Sequence, residues 1–249
     1  MSGHSHWAGI KHKKAANDAK RGKVWSKVAR MIIVAAKNGG GDPSANLALR
    51  YAIDKAKAAN MPKDTIEKAV KKGTGNLDGS SFEEILYEGY GPGGIAVMVD
   101  TLTDNRNRTG PEIKKVFERH GGSLGTSGCV GWMFSQKGLI TVAVSAAAED
   151  DLMELALSAG ADDMQTSGDV YEITCAPAAY EQLKAALEAR QIPIHLAEIS
   201  MVPQNTVPVT DPVMARKVLA LMDSLDDHDD VQNTYSNFDI AEDVIAAAG

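Results

Sequence analysis

Residues 139–175 read LITVAVSAAAEDDLMELALSAGADDMQTSGDVYEITC. An apolar, β-branched run opens this stretch, apolar residues at helical spacing follow it, and two extended runs close it. A second helical pattern and a last extended run continue to residue 201. The order β-α-β-β-α-β predicts a ferredoxin-like unit, with two helices on one face of an antiparallel sheet. The predicted strands are 139–144, 163–167, 170–175 and 194–201, and the predicted helices are 150–158 and 178–190.

The segments on either side of this unit each carry only part of a second domain. Before the unit we predict two strands joined by a Gly-Pro-Gly-Gly turn, and then a helix. After it we predict a strand, a helix with a proline in its first turn, and a last strand. A complete unit between two incomplete halves predicts that one domain is inserted in the other. The strands are 82–90, 95–102, 206–209 and 231–238, and the helices end at Gly121 and begin at Asp211.

Residues 1–75 show a third pattern, in which apolar residues recur at three- and four-residue spacing. Three amphipathic helices with short links can close a small core of their own. Asp and Pro at the start of the second helix offer an N-cap and a first-turn proline. The predicted helices are 23–37, one that begins at Asp42-Pro43 and breaks at Asn60, and one from Pro62 to Gly73.

Together these patterns predict an α+β multidomain protein. An N-terminal three-helix domain is joined to two α/β domains with antiparallel sheets, one of them ferredoxin-like and inserted in the other. The predicted bounds are 1–78 for the basic helical domain, 79–135 with 204–249 for the discontinuous α+β domain, and 136–203 for the inserted ferredoxin-like domain.

Positive and negative charge are separated along the chain. The formal net charge is −7, but residues 1–75 carry 16 Lys and Arg against 5 Asp and Glu. Residues 76–249 carry 10 against 28. A basic module attached to an acidic body is typical of proteins that bind polyanions such as nucleic acids. The alternative, a basic face that is merely solvated, stays open at this point.

The densest positive charge lies between residues 11 and 30. Phosphate binding needs several long cationic side chains but no fixed geometry, so an irregular cluster is sufficient. Nearby, Trp7 is a candidate for stacking on an unpaired base, whereas Trp25 is expected in the helical core. No helix-turn-helix, zinc-finger or RNA-recognition signature accompanies the cluster. The candidate nucleic-acid-binding residues here are Trp7, Lys11, His12, Lys13, Lys14, Lys20, Arg21, Lys23, Lys27 and Arg30.

A second candidate lies in the polar junction at residues 103–109, between a predicted strand and a predicted helix. Asp104 and Asn105 suit the turn and the helix cap, while Arg106 and Arg108 could face an anionic ligand. A purely structural role for the junction is an equally good interpretation.

No enzyme motif is found in the sequence. The turn at 91–94 lacks the Gly-Lys-Ser/Thr ending of a phosphate-binding P-loop. An enzyme that acts on RNA or a nucleotide in the cleft between domains, which only the polar junction suggests, remains as a lesser alternative. We therefore expect a non-enzymatic binding protein with no cofactor and no small-molecule substrate.

Metal binding is not expected either. His4, His6 and His12 have no cysteine or carboxylate at zinc-site spacing. The acidic run at 226–230 lacks the EF-hand spacing and its closing glutamate. We expect it to be a solvated loop between a helix and a strand, with weak metal affinity as the lesser alternative.

Cysteine usage and hydropathy bear on the cellular compartment. Cys129 and Cys175 lie far apart in unlike contexts, which favours reduced thiols. No apolar run is long enough for a membrane span, and the N-terminus lacks the apolar core of a secretory signal. The sequence therefore predicts a cytoplasmic protein without membrane contact.

Separated motifs occur along essentially the whole chain: Gly3 to Ser5, Trp7, Ile10 to Lys14, Asp18 to Lys23, Gly39 to Pro43, Asn60 to Asp64, Tyr87 to Gly94, Thr103 to Thr109 and Gly131 to Phe134. As a set they resemble the YebC/PmpR family. The resemblance implies a helical N-terminal domain plus two α/β domains, one inserted in the other, in agreement with the patterns above.

The resemblance also implies a regulator of gene expression. Bacterial members are generally described as DNA-binding transcriptional regulators, which implies promoter DNA as the partner. Mitochondrial relatives act as translational activators, and some bacterial members resemble ribosome-associated factors that relieve stalling at proline runs. The alternative partner is therefore ribosomal RNA, and with it the ribosome. Phosphate contacts hardly distinguish DNA from RNA, so both interpretations remain.

Overall fold

The computed structural model describes residues 21–75 and 82–248. Its first unit is a bundle of three helices, in which α1 packs against both others. Ile32 and Leu49 are fully buried at the centre of this core, and Ile66 is nearly so. The three amphipathic helices predicted from the spacing of apolar residues are all present. The helices are α1, Arg21–Gly39; α2, Leu47–Ala58; and α3, Lys63–Thr74.

The start of α2 differs from the prediction. The helix begins at Leu47 and is capped by Asn46, whose side chain accepts the N–H of Leu49 at 3.1 Å. The amide group of Asn46 also donates to two carbonyl oxygens of the preceding segment, each at 2.8 Å. The residue expected to cap the helix, Asp42, instead accepts the N–H of Ser44 at 2.9 Å and so stabilises a turn before it.

The second unit is a four-stranded antiparallel sheet, in which the strands lie in the spatial order 123–124, 83–90, 96–103 and 231–236. Helices α4 and α7 cover one face, and the fully buried side chains of Ile113, Phe117 and Leu221 form the core between them and the sheet. The elements are β1, Glu83–Tyr90; β2, Ala96–Thr103; α4, Arg106–Arg119; β3, Ser123–Leu124; α7, Pro212–Asp226; and β9, Val231–Ser236.

The last predicted strand, 231–238, is interrupted. The side-chain oxygen of Asn237 accepts the N–H of Ala96 at 2.8 Å, which takes the place of a backbone partner at the end of β9. After this break the chain pairs in parallel with another short segment, and a final helix follows. These elements are β8, Val207–Pro208; β10, Phe238–Asp239; and α8, Glu242–Ala248.

The third unit is the predicted β-α-β-β-α-β arrangement. Its antiparallel sheet has the strands in the spatial order 161–167, 170–175, 134–143 and 194–203, which is the ferredoxin-like order, and both helices bury apolar residues against it. The elements are β4, Phe134–Ala143; α5, Glu149–Ser158; β5, Ala161–Ser167; β6, Val170–Cys175; α6, Tyr180–Ala189; and β7, Ile194–Pro203.

The ferredoxin-like unit is inserted between β3 and β8 of the second unit. Its first and last strands leave that unit side by side, because Phe134 is paired with Pro203. The N–H of Gln204 then donates to the carbonyl oxygen of Met133 at 2.8 Å. The α+β multidomain class is therefore confirmed, while the residue bounds of the three domains stay a prediction. Within the described residues, no helix is both long and apolar enough to cross a membrane.

Candidate nucleic-acid interface

Three of the predicted cations in the first half of α1 contact residues 226–230, which we call the acidic loop. Lys23, Lys27 and Arg30 are spaced four and three residues apart, so they lie on one face of the helix. Nζ of Lys23 donates to the carbonyl oxygen of Asp227 at 3.3 Å, and Nζ of Lys27 donates to the preceding carbonyl. These carbonyls lie at the C-terminus of α7, where unpaired oxygens and the helix dipole favour cations.

The third cation, Arg30, contacts both a backbone carbonyl and a carboxylate of the acidic loop. Its NH1 donates to the carbonyl oxygen of Asp229 at 2.8 Å and lies 3.0 Å from Oδ1 of Asp230. Farther along the same side of the bundle, Nζ of Lys55 donates to the side chain of Asn233 at 3.0 Å. The described helical domain is therefore held to the acidic body by its own cations.

Asp230 is the centre of this contact region. Its side chain is only 4% exposed, and its Oδ2 accepts from Thr109 at 2.7 Å, from Thr103 at 3.2 Å and from Arg108 at 2.6 Å. Burial alone would raise the pKa of Asp230, but the hydrogen bonds from Thr109 and Arg108 and the charge of Arg108 outweigh it and lower the pKa below its ordinary value. The expectation of a fully solvated acidic loop is wrong for this residue.

The polar junction before α4 combines structural and electrostatic roles. Asn105 caps α4, since its side chain accepts the N–H of Arg108 at 3.2 Å. The guanidinium of Arg108 lies against Asp230 and also 3.3 Å from Asp104, so it faces carboxylates of its own chain. Arg106 is 67% exposed, and its nearest carboxylate oxygen is 3.9 Å away. Of the two arginines, Arg106 is the more exposed and has the more distant carboxylate partner, so its charge is the more open to an external anion.

One group of side chains here has the composition of a metal site. Glu112, His228 and Asp230 each place a ligand atom within 4.8 Å of the others. The backbone N–H of Asp230 donates to Nδ1 of His228, so the neutral ring carries its proton on Nε2 and donates to Glu112 at 3.0 Å. Arg108 already lies against both carboxylates, and its fixed positive charge opposes a metal cation at the same place.

Six predicted site residues lie outside the described part of the chain. Trp25, by contrast, takes the core position expected of it, and its Nε1 donates to the carbonyl oxygen of Ala59 at 2.9 Å. Arg21 begins α1, and its side chain is not described. The six residues outside the description are Trp7, Lys11, His12, Lys13, Lys14 and Lys20.

A second set of cations was not singled out from the sequence. Lys68, Lys71 and Lys72 on α3 and Lys37 near the end of α1 are exposed, and we call these four residues the lysine face. The described residues place no carboxylate within ion-pair distance of any of them. The signal was present in the sequence, because the apolar spacing of α3 leaves these lysines on its outer side.

A buried carboxylate organises the loop between β3 and β4. Glu88 is 4% exposed and accepts the backbone N–H groups of Gly128, Val130 and Gly131 at 2.6–2.8 Å. Burial would raise the pKa of Glu88, but these three hydrogen bonds outweigh it and lower the pKa. The loop so fixed presents Trp132, whose side chain is 68% exposed.

Comparisons with known proteins cover nearly the whole chain. The family model described as TACO1/YebC protein N-terminal domain matches residues 5–76, and the model for the TACO1/YebC second and third domain matches residues 82–238. The crystal structure of a conserved hypothetical protein, Aq1575, from Aquifex aeolicus is similar with a TM-score of 0.85 and 50% identity. That similarity covers 96% of this chain and 98% of the other.

Curated relatives are similar over their full length. A probable transcriptional regulatory protein of Syntrophobacter fumaroxidans is 54% identical over 245 residues, which is 98% of each chain. A protein of the same description from Dictyoglomus thermophilum is 54% identical over 246 residues, again 98% of each chain. On these matches, and on the three-unit architecture described above, the chain belongs to the TACO1/YebC family.

Proposed function

We propose that this protein is a nucleic-acid-binding regulator of gene expression, and that promoter DNA is its target. The observation that carries the proposal is the separation of charge between independently built units. Residues 21–75 hold twelve Lys and Arg against four Asp and Glu, and they form a helical bundle with its own core. Such a concentration of cations on a small domain suits a polyanionic partner.

The relatives' names support the regulatory part of the proposal, since they are called probable transcriptional regulatory proteins. The protein acts in this proposal by binding, in the cytoplasm, without catalysis or cofactor. The cations of residues 11–21, together with Arg106 and Arg108, remain candidate contacts, whereas Lys23, Lys27 and Arg30 are directed at the acidic loop. For Arg108 such a contact requires release from Asp230, which makes it the weaker candidate of the two arginines.

Ribosomal RNA is a second candidate partner, and one observation favours it. The exposed side of α3 presents mainly Lys, Asp and Glu and offers no Asn, Gln or Arg, so it lacks the side chains that contact adenine, or guanine through a guanidinium, in two hydrogen bonds. Lysine contacts to phosphates position a nucleic acid without reading its sequence, whereas binding to a particular promoter requires that its sequence be read.

Crosslinking the full-length protein to nucleic acid in growing cells, followed by sequencing, tests the proposal. Discrete promoter DNA peaks are the expected result. Recovery dominated by ribosomal RNA would overturn the promoter target and support the translational role. Recovery of neither above a crosslinked acidic control protein would contradict nucleic-acid binding as a whole.

A further inference from the structure

The helical domain holds two groups of cations that differ in what they already contact. Lys23, Lys27 and Arg30 donate to carbonyl and carboxylate oxygens of the acidic loop. To contact a phosphate, each would first have to give up a charge-assisted hydrogen bond. Their present partners therefore reduce what they could contribute to binding an external polyanion.

The lysine face has no such competition. Buried Ile66, Ala69 and Gly73 fix the inner side of α3 against the core, and Lys68, Lys71 and Lys72 point outward as a result. No described carboxylate lies within ion-pair distance of these side chains. Their charge is fully available to a ligand.

Lys37 belongs to the same surface because of the close approach of α1 and α3. A Cβ added at Gly73 would lie 2.7 Å from Cβ of Ala36, so the two backbones touch at this point. Lys72 directly precedes Gly73 on α3, and Lys37 directly follows Ala36 on α1, so both lysines lie beside this contact. The loop after α1 continues the same end of the bundle, since a Cβ at Gly41 would lie 2.8 Å from the side chain of Thr74.

The acidic residues of α3 leave this end of the helix positive. Asp64 lies in its first turn, away from the last-turn lysines, and Glu67 is 3.8 Å from Nζ of Lys63. The docked cations lie toward the other end of α1. Lys27 and Lys37 are ten residues apart on this helix, which is about 15 Å along its axis. The two groups therefore cannot both contact a single phosphate.

We propose that the lysine face, Lys37, Lys68, Lys71 and Lys72, is a binding site for the phosphate backbone of nucleic acid, and that Lys23, Lys27 and Arg30 serve to dock the helical domain. This inference rests on the proposed function and deepens it. It moves the principal phosphate contacts of the described helical domain from the first half of α1 to the opposite end of the bundle.

The test measures how the affinity of the full-length protein for a fluorescein-labelled DNA duplex of mixed sequence changes with potassium chloride concentration. Each phosphate contact contributes about 0.9 to the slope of log affinity against log salt for duplex DNA. The triple variant Lys68→Gln, Lys71→Gln, Lys72→Gln is therefore expected to lower the magnitude of the slope by about 2 to 3. Residues 1–20 are the same in every variant, so their contribution to the slope cancels.

Two matched variants separate the proposal from a general effect of net charge. Lys114→Gln, Lys115→Gln, Lys217→Gln removes the same charge from exposed positions on the acidic body and is expected to keep the wild-type slope. The double variant Lys23→Gln, Lys27→Gln is also expected to keep the wild-type slope, because those lysines contact the acidic loop. A wild-type slope in the lysine-face variant, or a loss of slope in the docking variant alone, would overturn the inference.

A stability control keeps the result interpretable. Lys71 and Lys72 lie in the last turn of α3, where their charge interacts favourably with the helix dipole, so their loss is expected to lower the stability of the bundle only slightly. The variant Lys68→Arg, Lys71→Arg, Lys72→Arg keeps the charge and is expected to bind as the wild type does. Failure of the wild-type protein to bind either the duplex or a single-stranded RNA probe would refute the proposed function together with this inference. Binding with the same salt dependence in the wild type and the lysine-face variant would refute the inference alone.

Discussion

Replacement of Asp230 by Asn removes the charge on which two arginines converge. Asn has one acceptor oxygen in place of two, and its NH2 group would point N–H donors at the guanidinium of either Arg30 or Arg108, which contact different oxygens of Asp230. Breaking a fully buried ion pair by removing one partner costs about 3–5 kcal/mol, but both arginines are partly exposed and regain water, so we expect about 2–3 kcal/mol here.

Thermal unfolding at pH 7, followed by circular dichroism, measures this effect. For a chain of this size 1 kcal/mol corresponds to about 2–4 °C, so the expected decrease in Tm is roughly 4–12 °C. The matched control is Asp229→Asn, because the Asp229 side chain is exposed and only its backbone carbonyl contacts α1. The control is expected to change stability by less than about 0.5 kcal/mol. Equal Tm values for the two variants would refute the assignment of Asp230 as the centre of the contact region.

The pH dependence gives an independent check on the same residue. The pKa of Asp230 is lower in the folded protein than the ordinary value of about 3.9 for an unfolded chain. Its stabilising contribution is therefore fully present above about pH 5, and it is lost as the pH falls through the folded-state pKa. We expect the difference between wild type and Asp230→Asn to shrink toward zero as urea unfolding is repeated at decreasing pH below 4. A difference that stays constant with pH would mean that the charge of Asp230 is not the source of the stability.

Further predictions concern Glu88 and the contact between α1 and α3. Glu88→Gln removes a carboxylate that accepts three backbone N–H groups, and it is expected to lower the free energy of unfolding by about 1–3 kcal/mol. The control, Glu84→Gln at an exposed position of the same strand, is expected to leave that free energy nearly unchanged. Gly73→Ala forces a Cβ into the backbone of α1 and is expected to destabilise the bundle by about 1–3 kcal/mol. The control is Gly22→Ala, where no atom lies within 4 Å of the new Cβ, and it is expected to be neutral or to stabilise α1 by up to about 1 kcal/mol. Equal destabilisation by Gly73→Ala and Gly22→Ala would contradict the close approach at Gly73.

Local patterns predicted most of the elements because their periodicity is a local property. The ferredoxin-like unit follows from alternating and helical spacing within 63 residues, and its sheet order follows from known packing rules. The start of α2 did not follow, because Asp42 and Asn46 are both good caps. The choice between them depends on the carbonyl oxygens that the Asn46 side chain reaches in the folded loop.

The candidate site was less predictable because its contacts join distant parts of the chain. Arg30 and Asp230 are 200 residues apart, and nothing in the local sequence around either one shows that they meet. The density of cations in residues 11–30 pointed to phosphate binding, yet part of that charge is directed at the acidic loop. The lysine face could have been found from the apolar spacing of α3, since that spacing alone determines which lysines point outward.

The way in which the ferredoxin-like unit is inserted has a mechanical consequence. The chain enters through β4 and returns through β7, and these strands are hydrogen-bonded neighbours from Phe134 and Pro203 onward. A connection made of two paired strands resists twisting and shearing far more than a single peptide chain does, because any rotation must strain or break ladder hydrogen bonds. The paired strands therefore restrict rotation of the inserted unit about its connection to the host domain.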